Sequence, residues 1–202
     1  MKVLVTGHRG FIGQHVFADW RKEFGYANVH GIDKPDCVSN FKGGDYDLVI
    51  HLAAWADIRE SLENPDAYYE NNVVKAKPLF DWCGKTNTRL LYASSSAVDG
   101  NYWENPYAMS KWINEQMAPP NSVGMRFTTV YAPDSRDNMM YGLLRDKKAT
   151  YVTNHRRDWI HVHDVCSAIR FLAPTTVTGP VPVGYGESVP VRKLAEKFGQ
   201  GD

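Results

Sequence analysis

Cysteine is scarce in this chain: Cys37, Cys83 and Cys166 are the only three in 202 residues. They are odd in number, far apart and form no C-x-x-C pair. Neither a disulfide frame nor a zinc site is indicated, and the expected compartment is the reducing cytosol. Net charge is missing as well, since 23 Lys+Arg balance 23 Asp+Glu. Proteins that live on nucleic acid or on anionic membrane carry a basic excess, so neither partner is expected. Long apolar runs are also absent. The longest, Leu48 to Ala56, contains His51 and falls far short of the ~20 residues of a membrane helix. Only four residues separate Lys2 from Gly7, too few for the apolar region of a signal peptide, so no leader is expected. No repeat, low-complexity segment or charge run divides the chain. At 43% hydrophobic and 23% charged residues it reads as a single globular domain, residues 1–202, with a sizeable core.

What is present is an alternation of short β-branched runs with amphipathic stretches. That pattern predicts an α/β fold with a doubly wound parallel sheet. Strands are expected at Lys2–Thr6, Asn28–Ile32, Asp47–Leu52, Arg89–Ala93 and Val123–Val130. They are almost wholly apolar, as strands covered by helices on both faces must be. One helix is expected from Phe11 to about Phe24-Gly25. A long one is expected over Asp66–Cys83, with Pro78 kinking or splitting it. Others are expected at Tyr107–Met117, before Pro119-Pro120, and at Asp164–Leu172, with Asp164 as N-cap and Pro174 as stop. Ser188 is expected to cap a last helix over Val191–Phe198, and the weak periodicity of Tyr131–Asp158 assigns nothing.

The first strand runs into Thr6-Gly7-His8-Arg9-Gly10-Phe11-Ile12-Gly13, with glycines spaced G-x-x-G-x-x-G. Gly7 permits a tight turn, Gly10 a close backbone approach to a diphosphate, and Gly13 the packing of helix on strand. The helix N-terminus then offers free N–H groups and the positive end of its dipole. Asp33 follows Gly13 by twenty residues, at the end of the second strand. A carboxylate there accepts from the adenosine ribose hydroxyls and repels a 2′-phosphate. Arg9 and Lys34 are nearby cations that soften the discrimination against NADP.

Tyr107 and Lys111 stand four apart at the start of a helix and so share a face. A phenol of pKa ~10 is a poor base near neutral pH. A close ammonium and an oxidised nicotinamide favour the phenolate, which suits the pair to proton transfer with a sugar hydroxyl. Y-x-x-x-K is weak alone. It gains weight from the preceding strand end, where Ser94-Ser95-Ser96 can hydrogen-bond the same oxygen. Trp55 directly follows Ala53-Ala54 at another strand end and is the tryptophan expected to face the site.

With these residues in view the chain resembles the extended short-chain dehydrogenase/reductase superfamily, in its NAD-dependent sugar-nucleotide epimerase/dehydratase branch. The similar segments run in family order: Thr6–Gly13, Asp33, His51–Ala54, Asn71–Val73, Tyr92–Gly100, Tyr107–Lys111, Arg126–Pro133, Arg157–Val165 and Gly184–Leu194. The resemblance implies a Rossmann-type fold and NAD as cofactor, held by Gly7, Arg9, Gly10, Phe11, Ile12, Gly13, Asp33, Leu52, Ala53, Ala54 and Asn72. It implies Tyr107 as acid/base and Lys111 as its partner and ribose ligand. Ser95 matches the active-site serine or threonine, with Ser94 and Ser96 as neighbouring candidates. It places substrate contacts near Ser61, at Thr129 and at Arg157. Arg157 matches a diphosphate-binding arginine, and an ion pair with Asp158 or Asp164 is the competing reading. Arg59-Glu60-Ser61 otherwise reads as the start of a surface loop. His161 and His163 alternate on an apparent strand and match a family motif, so no metal is expected of them.

The departures matter too. Asp99 stands where relatives carry tyrosine, and Thr129 where they often carry asparagine. Asp134–Arg157 is compressed, and the chain stops soon after Leu194, so the resemblance implies a reduced substrate-binding portion, mainly in residues 131–202. Dehydratases of the family place an Asp-Glu pair after the active-site threonine. Here Ser96 and Ala97 follow Ser95, so no dehydration is expected. The implied activity is epimerisation of a nucleotide sugar. A net dehydrogenase of a nucleotide sugar or polyol, and a non-catalytic cofactor-binding protein, stand as alternatives. The resemblance also implies a homodimer, with Trp112, Ile113 and Met117 on one helix and Leu79, Phe80 and Trp82 on the preceding one as its apolar face, although the same residues also read as core.

Overall fold

The computed structural model describes residues 1–34 and 38–200, and Cys37 lies outside them. Strand β1 (Val3–Thr6) enters helix α1 (Phe11–Phe24), followed by β2 (Val29–Ile32) and β3 (Leu48–His51). Helices α2 (Ile58–Glu63) and α3 (Pro65–Tyr69), a π-helical turn over Glu70–Val74 and α4 (Lys77–Thr86) lead to β4 (Arg89–Ser95). A 3-10 turn over Ser96–Asp99 precedes α5 (Pro106–Met117). After it come β5 (Ser122–Phe127), β6 (Thr129–Tyr131), α6 (Met140–Arg145), β7 (Arg156–His161), α7 (Val162–Leu172), β8 (Gly179–Val183), β9 (Ser188–Pro190) and α8 (Val191–Lys197).

The main sheet has the order β2-β1-β3-β4-β5-β8, and all its neighbouring strands are parallel. This is the Rossmann-type doubly wound arrangement. Helices cover both faces, which is why Val3, Leu4 and Val5 of β1 are all apolar and fully buried. Val3 and Val5 belong to the core beneath α1 and α7, with Val16, Trp20 and Ile169. Leu4 belongs to the opposite core, with Leu79 and Phe80 of α4. Each such fully buried side chain stabilises the fold by roughly 1.5–3 kcal/mol. A smaller sheet, β6-β7-β9, lies in the C-terminal portion. Strand β8, at one edge of the main sheet, carries Pro180 and Pro182.

The structure corrects several expectations. Asp66–Cys83 is three pieces, because Pro78 has no N–H to continue a helix and sits instead in the first turn of α4. Val123–Val130 is two strands in different sheets, separated at Thr128. The N-cap of α7 is His161, whose ring accepts from the His163 N–H, and Asp164 lies inside the first turn. His161 therefore ends β7 while His163 is helical. Ser188 belongs to β9, and α8 begins after Pro190 with no side-chain cap. Arg59–Ser61 is helical, because Asp57 caps the N–H groups of Arg59 and Glu60. Leu79 and Phe80 are core residues, so α4 does not offer them to a partner.

Candidate active site

The site is built where the strands of the main sheet end. Gly7 has a φ of +71°, and a Cβ there would lie 2.6 Å from the Ala53 nitrogen. A Cβ on Gly13 would lie 1.9 Å from the Gly7 carbonyl oxygen. Only glycine allows the β1–α1 turn to sit this close to Leu52–Ala54 and to the first turn of α1. Helix α1 opens at Gly10 without a side-chain cap and without an acidic residue in its first turn. Its N–H groups and dipole are therefore available to an anion. Asp33 closes the other side: its carboxylate accepts from the Arg9 N–H at 2.7 Å and the Lys34 N–H at 2.8 Å. The Lys34 ammonium lies 5.6 Å from the Trp55 ring centroid, so Trp55 borders the Asp33 side of the cleft. Cradle, uncapped helix and acid together fit NAD.

Beneath this turn Thr6 and His51 meet at 2.7 Å between Oγ1 and Nδ1, in the buried core. Burial, aided by the Lys111 charge, pushes the His51 pKa down to about 3. Its unfolded value is ~6.5, so between these two pH values the unfolded chain binds the extra proton. Stability therefore falls as pH drops from 6.5 toward 3, by on the order of several kcal/mol in full. Urea midpoints measured across that range, with His51→Asn alongside, check this. Equal acid slopes in the two proteins would contradict it.

Asn72 sits in the π-helical turn and is 1% exposed. Its side chain accepts from the Trp55 N–H at 2.8 Å and donates to the Trp55 carbonyl and to the Ser110 hydroxyl, each at 3.0 Å. Ser110 in turn donates to the Tyr107 carbonyl at 2.7 Å. One amide thus fixes the end of the β3 segment against α5. The π turn that aims it is a helix irregularity of the kind often met at functional sites.

Helix α5 carries Tyr107 and Lys111. It starts at Asn105, whose side chain accepts from the Ala108 N–H at 2.7 Å, with Pro106 in the first turn. Lys111 is 3% exposed, and its ammonium donates to the Ala93 carbonyl at 2.8 Å. No carboxylate pairs with it among the described residues. Burial therefore lowers its pKa to about 8. The ammonium lies 5.8 Å from the Tyr107 ring centroid. Burial raises the Tyr107 pKa, and the Ser95 hydroxyl opposes that rise. Ser95 ends β4, caps the 3-10 turn through the Ala97 N–H at 3.2 Å, and is buried. A cation without a counter-anion beside a phenol without a base is suited to hold a proton-accepting oxygen once an electron-poor group lies against it.

The remaining candidates are placed differently. Ser96 is exposed beside Ser95. Ser61 is buried, and its hydroxyl donates to the Ile58 carbonyl within α2. Thr129 and Arg157 lie on β6 and β7 of the small sheet, where Thr129 pairs with Trp159. Arg157 is exposed and forms no ion pair among the described residues, and Asp158 instead accepts from the N–H groups of Tyr185 and Gly186 at 2.9 Å. Asn105, Ser110 and the pair Thr6–His51 were not anticipated. For Asn105 the Asn-Pro dipeptide before a helix was a usable signal.

The NAD-dependent epimerase/dehydratase family model matches residues 3–185. The protein CapI of Staphylococcus aureus is 32% identical over 84% of this chain and 68% of its own length. UDP-glucuronate 4-epimerase 1 of Arabidopsis thaliana is 28% identical over 82% of this chain, which spans 53% of that protein. The solved structure of MoeE5 in complex with UDP-glucuronic acid and NAD is 26% identical, with a TM-score of 0.86 over 98% of this chain and 83% of that one. The NAD cradle, the helix bearing Tyr107 and Lys111 and the family match over most of the chain converge: it belongs to the NAD-dependent epimerase/dehydratase family, with NAD as its cofactor.

Proposed function

We propose that the chain is a nucleotide-sugar epimerase that reversibly oxidises one sugar hydroxyl. The observation that carries this is the set Ser95, Tyr107 and Lys111 beside the NAD cradle, with no free carboxylate following Ser95. Bound NAD supplies the hydride acceptor and, once reduced, the donor. Tyr107 takes the hydroxyl proton as the carbon loses hydride, and Lys111 stabilises the phenolate and holds the nicotinamide ribose. Ser95 orients the reacting oxygen. Once the oxidised sugar has turned over in the site, Tyr107 gives the proton back to the same oxygen. Gly7, Arg9, Gly10, Phe11, Ile12 and Gly13 bind the diphosphate of NAD. Asp33 takes the adenosine ribose, Leu52–Ala54 and Asn72 border the cofactor, as does Trp55, which lies on the Asp33 side rather than at the substrate, and Ser96, Thr129 and Arg157 face the nucleotide sugar. Elimination of water needs a further base and acid. Ser96 and Ala97 offer neither, and Asp99 is paired with Arg126.

A panel of nucleotide sugars, led by UDP-glucuronic acid and UDP-glucose, tests this. The first is the ligand named for MoeE5 and in the Arabidopsis relative. The expected result is an isomeric product with no net absorbance in the reduced-nicotinamide band. Net reduction of the cofactor would make the chain a dehydrogenase, and a product lighter by one water would make it a dehydratase.

NAD is expected to bind at least about tenfold more tightly than NADP, because a 2′-phosphate beside Asp33 is a like-charge contact. Asp33→Ala narrows the gap. Calorimetric titration of both cofactors checks this, and tighter NADP binding by the parent would sink it.

A further inference from the structure

Asp99 ends the 3-10 turn that begins directly after Ser95. Its carboxylate pairs with the Arg126 guanidinium. The same guanidinium grips Glu115 in a fork, Nε to Oε1 at 2.9 Å and Nη2 to Oε2 at 2.6 Å. The Glu115 side chain is 2% exposed and also accepts from the Ser94 hydroxyl. Glu115 lies on α5, one turn beyond Lys111, and Arg126 is the sheet partner of Ser94. One cation therefore joins the strand that carries Ser95, the turn that follows it and the helix that carries Tyr107 and Lys111.

The two halves of this joint do different work. The fork on buried Glu115 is directional, and breaking it would strand a buried charge. The Asp99 half is solvent-exposed and adds little to stability. What it does is close the turn onto that fixed guanidinium. Small displacements of groups around reacting atoms cost rate steeply.

We propose that Asp99 is a positioning residue: through Arg126 it holds the Ser96–Asp99 turn, and with it the Ser95 hydroxyl, in register with Tyr107. This rests on the reading of Ser95 and Tyr107 given above. The Ser95 hydroxyl opposes the rise that burial imposes on the phenol, so a turn that no longer holds Ser95 lets the phenol titrate at higher pH and the ascending limb of the pH–rate profile move up with it.

The test compares Asp99→Ala, Asp99→Glu, Ser95→Ala and Tyr107→Phe with the parent. Tyrosinate absorbance against pH, taken as the difference from Tyr107→Phe, follows the phenol without needing turnover. Asp99→Ala is expected to titrate at higher pH and to lose about tenfold in kcat, with KM and melting temperature near the parent's. Asp99→Glu is expected to restore most of both. If Ser95→Ala shows these changes and Asp99→Ala does not, the proposal fails while the active-site reading stands. If Asp99→Ala loses activity and melting temperature together, with the phenol titration unmoved, its role is structural and the proposal fails. If Tyr107→Phe keeps turning over, the active-site reading falls and takes the proposal with it.

Discussion

The Tyr107→Phe protein is expected to bind NAD as tightly as the parent and to turn over about a hundred- to ten-thousandfold more slowly, the usual weight of one acid/base group. The substitution deletes a single oxygen and leaves the ring 5.8 Å from the Lys111 ammonium. The cradle at Gly7, Gly10 and Gly13 and the carboxylate of Asp33 lie on other elements, so the cofactor is held as before. Neither Ser95 nor His51 can take over the proton. Ser95 is a neutral hydroxyl, and His51 is turned toward Thr6 with its pKa pressed to about 3. Initial rates and NAD titration on the same preparation decide the matter. A variant that keeps more than a tenth of parental turnover would place the acid/base elsewhere.

Lys111→Met separates stability from activity in opposite directions. Lys111 is a buried cation without a carboxylate, and its pKa of about 8 lies below the unfolded value near 10.5. Between those values the unfolded chain holds the proton that the folded one has lost, so parental stability rises with pH there. Below about pH 8 the burial cost of the charge is present in full, roughly 3 kcal/mol. Methionine fills similar space without the charge. It gives up the hydrogen bond to the Ala93 carbonyl, worth about 1 kcal/mol. The variant is therefore expected to gain about 2 kcal/mol at pH 7, or roughly 4–8 °C in melting temperature. That gain shrinks as pH rises from 8 toward 10.5. Turnover and NAD affinity are both expected to fall, since on the proposed reading the phenol loses its cation and the ribose its ligand. A melting temperature below the parent's at pH 7 would refute this account of Lys111. The destabilising charge is what a site kept for chemistry, rather than for stability, looks like.

Much of this was legible in the chain itself, and the reason differs between elements. Gly7 and Gly13 are readable because so tight an approach of backbone to backbone admits only glycine. α1 is readable because its apolar residues recur with the helical period, and β4 because Leu90–Ala93 form an unbroken apolar run. The π turn at Glu70–Val74 is not. Its residues suit an ordinary helix, and only Asn72 reaching Trp55 and Ser110 across tertiary space pays for the extra residue per turn. The break at Thr128 is equally silent: both flanking runs are rich in β-branched or apolar residues, and only the existence of a second sheet separates them. Asp99 was visible as a departure, yet its meaning lay in Arg126 and Glu115, residues 27 and 16 positions away that no local pattern connects. Ser61 shows the opposite case, a polar residue at a suggestive position whose hydroxyl stays inside its own helix turn.

Strand β8 carries a consequence for how the chain behaves in a crowded solution. An open sheet edge is a template for another strand, and edge-to-edge pairing is a common route to aggregates. In β8, Pro180 and Pro182 alternate with the residues between them, so both lack an N–H on the same side of the strand. The ladder to β5 is intact, with Val181 and Val183 paired to Met125 and Phe127. The missing donors therefore fall on the outward side, where an incoming strand would need them. The opposite edge, β2, is only four residues long. The sheet is guarded at both ends against growing beyond its own chain, by imino acids on one side and brevity on the other.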